Sequence, residues 1–293
     1  MIALDGILGC LIGGALGDAL GSRYEGMAGR QTVVWGPPWE LSDDTQLTLA
    51  TCEAIIERGD PDPVAIAASF ARWYAAGRLT GLGAATLGAV NALARGGHWA
   101  LVGRRGEMAA GNGAAMRIAP VGLCLDPTSE PGRRLVRDIS RITHHNEEAF
   151  AGALAVATAV HRASSGQAPE LAHVATALPD SAVRDRLLEL GALPQPPSIE
   201  TVAAKYGCSG YVVESVPLAL FAAVQAPRIG FAGMLADIVE VGGDTDTNGS
   251  MAGQVAGCLL GIGALPTERV KDVPHFEEIL SVGEALASAR GLS

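Results

Sequence analysis

The sequence predicts an all-α protein, a single compact orthogonal helix bundle spanning residues 1–293, and three observations lead there. Apolar residues recur with the helical period along most of the chain, and no run of alternating polar and apolar residues marks a strand. Thirty-eight glycines and abundant alanine, with only 4% aromatics, suit closely packed helices better than a β-sandwich. A 48% hydrophobic composition over 293 residues is enough to bury a large core.

Taken in order, the pattern predicts helices over 4–20, 45–58, 63–76, 83–95, 113–124, 131–142, 147–164, 181–190, 211–225, 231–241 and 247–262. Glycine and proline punctuate them. Gly36-Pro37-Pro38 separates the first helix from the second, and Gly59-Asp60-Pro61-Asp62-Pro63 separates the second from the third. Gly96-Gly97 closes the fourth, and Leu193-Pro194-Gln195-Pro196-Pro197 follows the eighth. Asn146, followed by Glu147 and Glu148, is a capping residue with acids in the first turn of 147–164. No long-period repeat or low-complexity linker interrupts the chain.

A net charge of −10 and a pI near 5.1 argue against nucleic acid or an anionic membrane as the main partner. The five cysteines (10, 52, 124, 208, 258) are dispersed, odd in number and form no CxxC. They read as reduced core thiols of a cytoplasmic protein. Ile7-Leu8-Gly9-Cys10 faintly resembles a lipoprotein cleavage site. No Lys or Arg precedes it, however, and Asp18 ends the apolar run too early for a membrane span. The expectation is a mature, folded helix in a monomeric protein.

Two helices carry glycine at every fourth position: Gly9, Gly13, Gly17 and Gly21, and again Gly249, Gly253, Gly257 and Gly261. An interior glycine costs about 0.5–1 kcal/mol relative to alanine, so something must offset the two rows. Residues four apart share one helix face, and a glycine face lets another backbone approach closely. Close packing at the centre of the bundle is the expected compensation.

Two acidic clusters stand at predicted helix starts. Ser42-Asp43-Asp44-Thr45 precedes Leu47 and Leu49, and Asp244-Thr245-Asp246-Thr247 follows Gly242-Gly243. Capping uses one such side chain per helix, so each cluster holds acid in excess. If the two helix starts meet, each pair of like charges at about 4 Å costs roughly 4 kcal/mol at an effective dielectric of 20. Divalent cations reverse that sign, and oxygen ligands without clustered His or Cys suit Mg²⁺ or Mn²⁺ rather than zinc.

Six motifs then coincide in order: GCLIGGALGDALGSRYEG (9–26), SDDTQ (42–46), GNGAAMR (111–117), RITHHNEEAF (141–150), ESVPLALF (214–221) and GGDTDT (242–247). Together they resemble the ADP-ribosylglycohydrolase family, which includes the dinitrogenase-reductase-activating glycohydrolases and the ADP-ribosyl-acceptor hydrolases. The resemblance runs from about residue 5 to 265 and leaves the tail beyond Pro266 outside. It implies an all-α fold with two divalent cations, Mg²⁺ or Mn²⁺, at the base of a cleft that takes ADP-ribose. The implied metal ligands are Ser42, Asp43, Asp44, Asp244, Asp246 and Thr247, with Ser42 where the family usually has threonine. Thr245, between ligands, is expected to point away or cap the helix.

Glu25 matches a glutamate on a mobile loop over the metals, with Gly26 and Ala28-Gly29 supplying flexibility. Glu25, Asp44 and Asp246 are therefore the implied catalytic acids. Asp18 is expected to act at a helix end beside the site or within it. Gly111-Asn112-Gly113, opening a helix that contains Met116, resembles the diphosphate cradle. His144, after Thr143, is placed on the ribose or phosphate side of the ligand. Tyr211 is either an adenine-stacking aromatic or a core residue.

The implied activity is hydrolysis at C1″ of ADP-ribose carried by a modified protein or a small conjugate. The arginine-specific branch carries an Asp-x-Gly motif that aligns here with Thr80-Gly81-Leu82-Gly83, which has no acid. The reading therefore favours O-linked substrates: serine-linked, poly or O-acetyl-ADP-ribose. An arginine-specific hydrolase and a non-catalytic ADP-ribose-binding relative are the alternatives. A hydrolase of other phosphate compounds would need basic residues at the cleft, and none cluster near these motifs.

Overall fold

The computed structural model describes residues 4–27 and 31–291. The first helices are α1 (Leu4–Gly21), α2 (Asp43–Arg58), α3 (Pro63–Ala75), α4 (Ala84–Ala94) and the single turn α5 (Trp99–Val102). Then come α6 (Ala119–Cys124), α7 (Glu130–Arg141), α8 (Glu147–Ser164), α9 (Leu171–Thr176), α10 (Ala182–Gly191) and α11 (Ile199–Tyr206). The chain ends with α12 (Val212–Ile229), α13 (Phe231–Val241), α14 (Thr245–Leu260), α15 (Thr267–Val270) and α16 (Phe276–Ala289). The one sheet among the described residues pairs two short parallel strands, β1 (Arg104–Arg105) and β2 (His144–His145). The all-α expectation holds.

The glycine rows explain the centre of the molecule. Helix α1 packs more extensively on α14 than any other pair of described elements, antiparallel and backbone to backbone. A Cβ built on Gly9 would stand 2.1 Å from the carbonyl oxygen of Gly257, on Gly13 2.6 Å from that of Gly253, and on Gly17 2.1 Å from that of Gly249. None of these distances leaves room for a methyl group. The row ends at Gly21, whose Cβ would lie 2.4 Å from the Asp246 nitrogen. The glycine seam thus sets the start of α14, and with it the second acidic cluster, against the end of α1. Helices α8 and α12 pack on the same α14, and their buried side chains join one continuous apolar core. By length and composition Leu4–Tyr24 and α12 are apolar enough to cross a membrane, but 83% and 72% of those windows are buried in this core.

Three helix expectations need correction. The segment 113–124 is not one helix: Gly113–Arg117 form turns, and α6 starts at Ala119. The Asn112 carbonyl takes the amides of both Ala115 and Met116, which closes a turn, and Pro120 suits the first turn of the helix that follows. Helix α12 continues to Ile229 through Pro217 and Pro227 rather than stopping at 225. Helices α9, α11 and α16 also lie outside the predicted set. In α16 the spacing of Ile279, Gly283 and Leu286, all buried, is the i, i+4, i+7 pattern that marks an amphipathic helix.

Candidate active site

The site begins with a fully buried acid that is not among the residues lining the cleft. Asp18, fully buried near the end of α1, accepts hydrogen bonds from the Ser42 amide (3.1 Å), the Thr45 amide (3.1 Å) and the Thr45 hydroxyl (2.5 Å). Burial raises its pKa, and these donors pull it back down. A carboxylate from one helix therefore caps the start of another, as helix N-termini favour. Asp18 thus ties the start of α2, which carries Asp43 and Asp44, to the end of α1.

The two acidic clusters meet. Thr247 Oγ1 donates to Asp44 Oδ2 at 3.1 Å, and Ser42 Oγ donates to the same oxygen at 3.1 Å. Asp43, Asp44, Asp244, Asp246 and Thr247 all line one cleft of about 520 Å³. Glu25 lines it too, and oxygens of Glu25, Asp244 and Asp246 lie within 4.8 Å of one another. Ser42 lies just outside the wall, its hydroxyl capping α2 through the Asp44 amide. Thr245 points away, donating to the Gly21 carbonyl at 2.8 Å. The Ala28-Gly29 part of the loop after Glu25 lies outside the described residues.

Crowded, buried acid resists ionisation. Burial, then the charge of Asp18, pushes Asp43 up to about 8. Burial, then Asp244, pushes Asp246 up to about 9. Asp44 is raised by burial and then by Asp246. Asp44 Oδ1 and Asp246 Oδ1 are buried with no hydrogen-bond donor, an arrangement that costs free energy unless something positive sits there. An oxygen-only set with two orphaned carboxylate oxygens fits a hard divalent cation. Asp43, Asp44, Asp244, Asp246, Thr247 and Glu25 are placed to hold it.

The opposite wall carries the ligand-binding candidates. Gly111, Asn112, Gly113, Met116 and His144 all line the cleft. Asn112 Nδ2 donates to Asp244 Oδ2 at 2.7 Å, tying this wall to the acid. The glycines serve a purpose other than a helix-end anion site: a Cβ on Gly113 would stand 2.8 Å from His144 Cε1, and on Gly111 3.2 Å from Nε2. They make room for the imidazole. Tyr211 is not a core residue. It is 44% exposed and is not among the residues lining the cleft, although its backbone bridges that of Gly111, which is.

Sequence reasoning missed Arg104. Strand β1 pairs with β2 in register Arg104↔His144, which sets this cation on the cleft wall. Among the described residues it is a single cation at the cleft and not a cluster, and it lies outside the six motifs. Gly81 and Gly83 line the cleft as well, and a Cβ on Gly81 would come 3.7 Å from Asp43 Oδ1.

Comparison with known proteins agrees with this geometry. The family model described as ADP-ribosylglycohydrolase matches residues 2–293, so it also takes in the tail beyond Pro266. The chain is 29% identical over 300 residues to "ADP-ribosylarginine hydrolase Tri1" of Pseudomonas putida (strain GB-1), covering 97% of this chain and 78% of that protein. It is 27% identical over 304 residues to "ADP-ribosyl-[dinitrogen reductase] glycohydrolase" of Rhodospirillum rubrum, covering 98% and 97%. To "ADP-ribosylhydrolase ARH3" of Homo sapiens it is 26% identical over 339 residues, covering 97% and 93%. A solved structure titled "ADP-ribosylglycohydrolase-related protein complex" superposes with a TM-score of 0.74 at 29% identity, covering 98% of each chain. The glycine-seamed helix pair, the two acidic helix starts meeting in one cleft, and a family match across almost every residue lead to one conclusion: the chain belongs to the ADP-ribosylglycohydrolase family of enzymes.

Proposed function

We propose that this protein cleaves the C1″ glycosidic bond joining ADP-ribose to an acceptor oxygen, on a modified protein or a small conjugate. The observation that carries the reading is the pair of orphaned buried oxygens, Asp44 Oδ1 and Asp246 Oδ1, at the point where the two acidic helix starts converge. A purely structural acid cluster would find donors for both. Divalent cations held there, Mg²⁺ or Mn²⁺, supply Lewis-acid charge that anchors ribose hydroxyls and makes water more acidic.

The chain's own residues do the rest. The cleft floor favours the positive charge that develops at C1″, because its carboxylates are buried where electrostatic interactions are weakly screened. Asp44 and Asp246, which line the cleft, are the candidate bases. One of them takes a proton from water as the water oxygen bonds to C1″ and the bond to the acceptor oxygen breaks. The carboxyl group passes that proton to the departing acceptor oxygen, which restores the carboxylate, and free ADP-ribose remains. Glu25, at the rim, admits substrate or orients the water. Five unpaired cysteines go with a cytoplasmic location.

Gly81 and Gly83 line the cleft, in the segment that aligns with the Asp-x-Gly motif of the arginine-specific branch, and the lack of an acid there supports an O-linked acceptor. The name of the Pseudomonas relative favours the arginine-specific alternative. A panel of serine-, arginine- and DNA-linked ADP-ribose with O-acetyl-ADP-ribose, run with and without EDTA, decides. We expect release from the serine glycoside and from O-acetyl-ADP-ribose only with metal. Faster release from arginine would overturn the O-linked assignment, binding without turnover would point to a reader, and turnover in EDTA would overturn the metal site.

A further inference from the structure

His144 is the one imidazole on the cleft wall, and its tautomer decides whether it gives or takes a hydrogen bond. Behind it runs a buried chain. Arg117 is fully buried under the turn that carries the cleft-lining glycines, its guanidinium carbon 4.7 Å from the centre of the Phe70 ring. Its NH2 nitrogen donates to Thr143 Oγ1 at 2.7 Å. Thr143 Oγ1 lies 2.8 Å from His144 Nδ1. Arg117 Nε and NH1 have no hydrogen-bond partner, so the contact to Thr143 is the one hydrogen bond anchoring this cation among the described residues.

The direction of each bond follows from what the groups carry. A guanidinium has donors and no acceptor, so the Thr143 oxygen must accept from Arg117. The hydroxyl then has one proton left to give, and His144 Nδ1 is the partner that takes it. If Nδ1 carried its own proton toward Thr143, the buried hydroxyl proton would be left unpaired, at a cost of about 1–3 kcal/mol. A doubly protonated ring is also disfavoured: burial, then the charges of Arg117 and Arg104, pushes His144 down to about 3. A neutral ring with Nδ1 bare carries its hydrogen on Nε2, the atom that faces Gly111.

We propose that Arg117, acting through Thr143, is a positioning residue that locks His144 as an Nε2–H donor aimed into the cleft, so that this wall recognises an acceptor oxygen on the ligand. The tautomer stands on the geometry alone. Its use on a ribose or phosphate oxygen of ADP-ribose rests on the proposed function.

The test uses the Mg²⁺-loaded protein with 15N-labelled histidine, the His144 ring being identified by its loss in His144→Gln. At neutral pH we expect a protonated Nε2 and a bare Nδ1. Thr143→Val keeps the shape and removes the relay proton, so the ring should shift toward Nδ1–H. ADP-ribose affinity should fall about tenfold, the size of one lost hydrogen bond of about 1.4 kcal/mol, with KM rising more than kcat falls. Thr143→Ser should restore tautomer and affinity together. Arg117→Met should loosen the preference in the same direction, and if that variant does not fold the two Thr143 variants decide. A wild-type ring protonated at Nδ1, or a Thr143→Val protein with an unchanged ring and unchanged affinity, overturns the relay. ADP-ribose that fails to bind a protein with the expected tautomer overturns the proposed function and leaves the relay standing.

Discussion

Thr247 donates a 3.1 Å hydrogen bond to Asp44, joining two helix starts that lie 203 residues apart in the chain. The two starts meet because the glycine seam sets the beginning of α14 against the end of α1, where Asp18 holds the beginning of α2. The same seam stacks carboxylates that repel one another, which makes stability, metal and pH interdependent.

Removing one carboxylate should separate these effects. Asp246→Asn takes away a carboxyl group that the metal-free fold must keep protonated against its ordinary acidity, so the metal-free protein should melt higher than wild type, on the order of 1–3 kcal/mol more stable. The same change should abolish the upward shift of Tm on adding Mg²⁺ and lower turnover at least about a hundredfold, since several kcal/mol of transition-state stabilisation is lost. Thermal melts with and without Mg²⁺, beside a turnover assay, check both signs. A lower metal-free Tm would mean that the acid is not in excess.

The pH dependence of the metal-free protein has a definite direction. Asp43 and Asp246 are raised to about 8 and about 9 in the fold, against about 3.9 in the unfolded chain. The native state therefore binds more protons between these values, and stability falls as pH rises from about 4 toward 9. Denaturant melts in EDTA should show that slope. Saturating Mg²⁺ should flatten or reverse it, because cations and protons compete for the same oxygens.

Glycine should matter by position. Gly17→Ala places a methyl carbon 2.1 Å from the Gly249 carbonyl oxygen, which forces the two helices apart and should cost several kcal/mol. Gly88→Ala, in the exposed middle of α4 with nothing within 4 Å, should instead stabilise by about 0.5–1 kcal/mol through helix propensity. Equal effects in denaturant melts would rule out the close-approach account.

Arg104→Ala should raise KM for ADP-ribose conjugates about two- to fivefold at low salt, the scale of an exposed charge contact. Salt should erase the difference. A fall in kcat with KM unchanged would place Arg104 in the chemistry instead of on the ligand.

The sequence by itself determined what is local and periodic. Helical spacing and caps fixed most of the helices, the four-residue glycine period announced the α1–α14 seam, and the excess of acid at two helix starts announced a cation site. Ordered motifs tied these to a family. Only the tertiary structure decided which groups share the cleft. Asp18 caps a helix other than its own, Arg104 reaches the wall because β1 pairs with β2, and Gly113 clears a histidine instead of opening a helix. Each of these depends on a contact between segments far apart in the chain, and local propensity carries no information about such contacts. The same holds for the proton on His144, which is set by a buried arginine 27 residues earlier acting through Thr143.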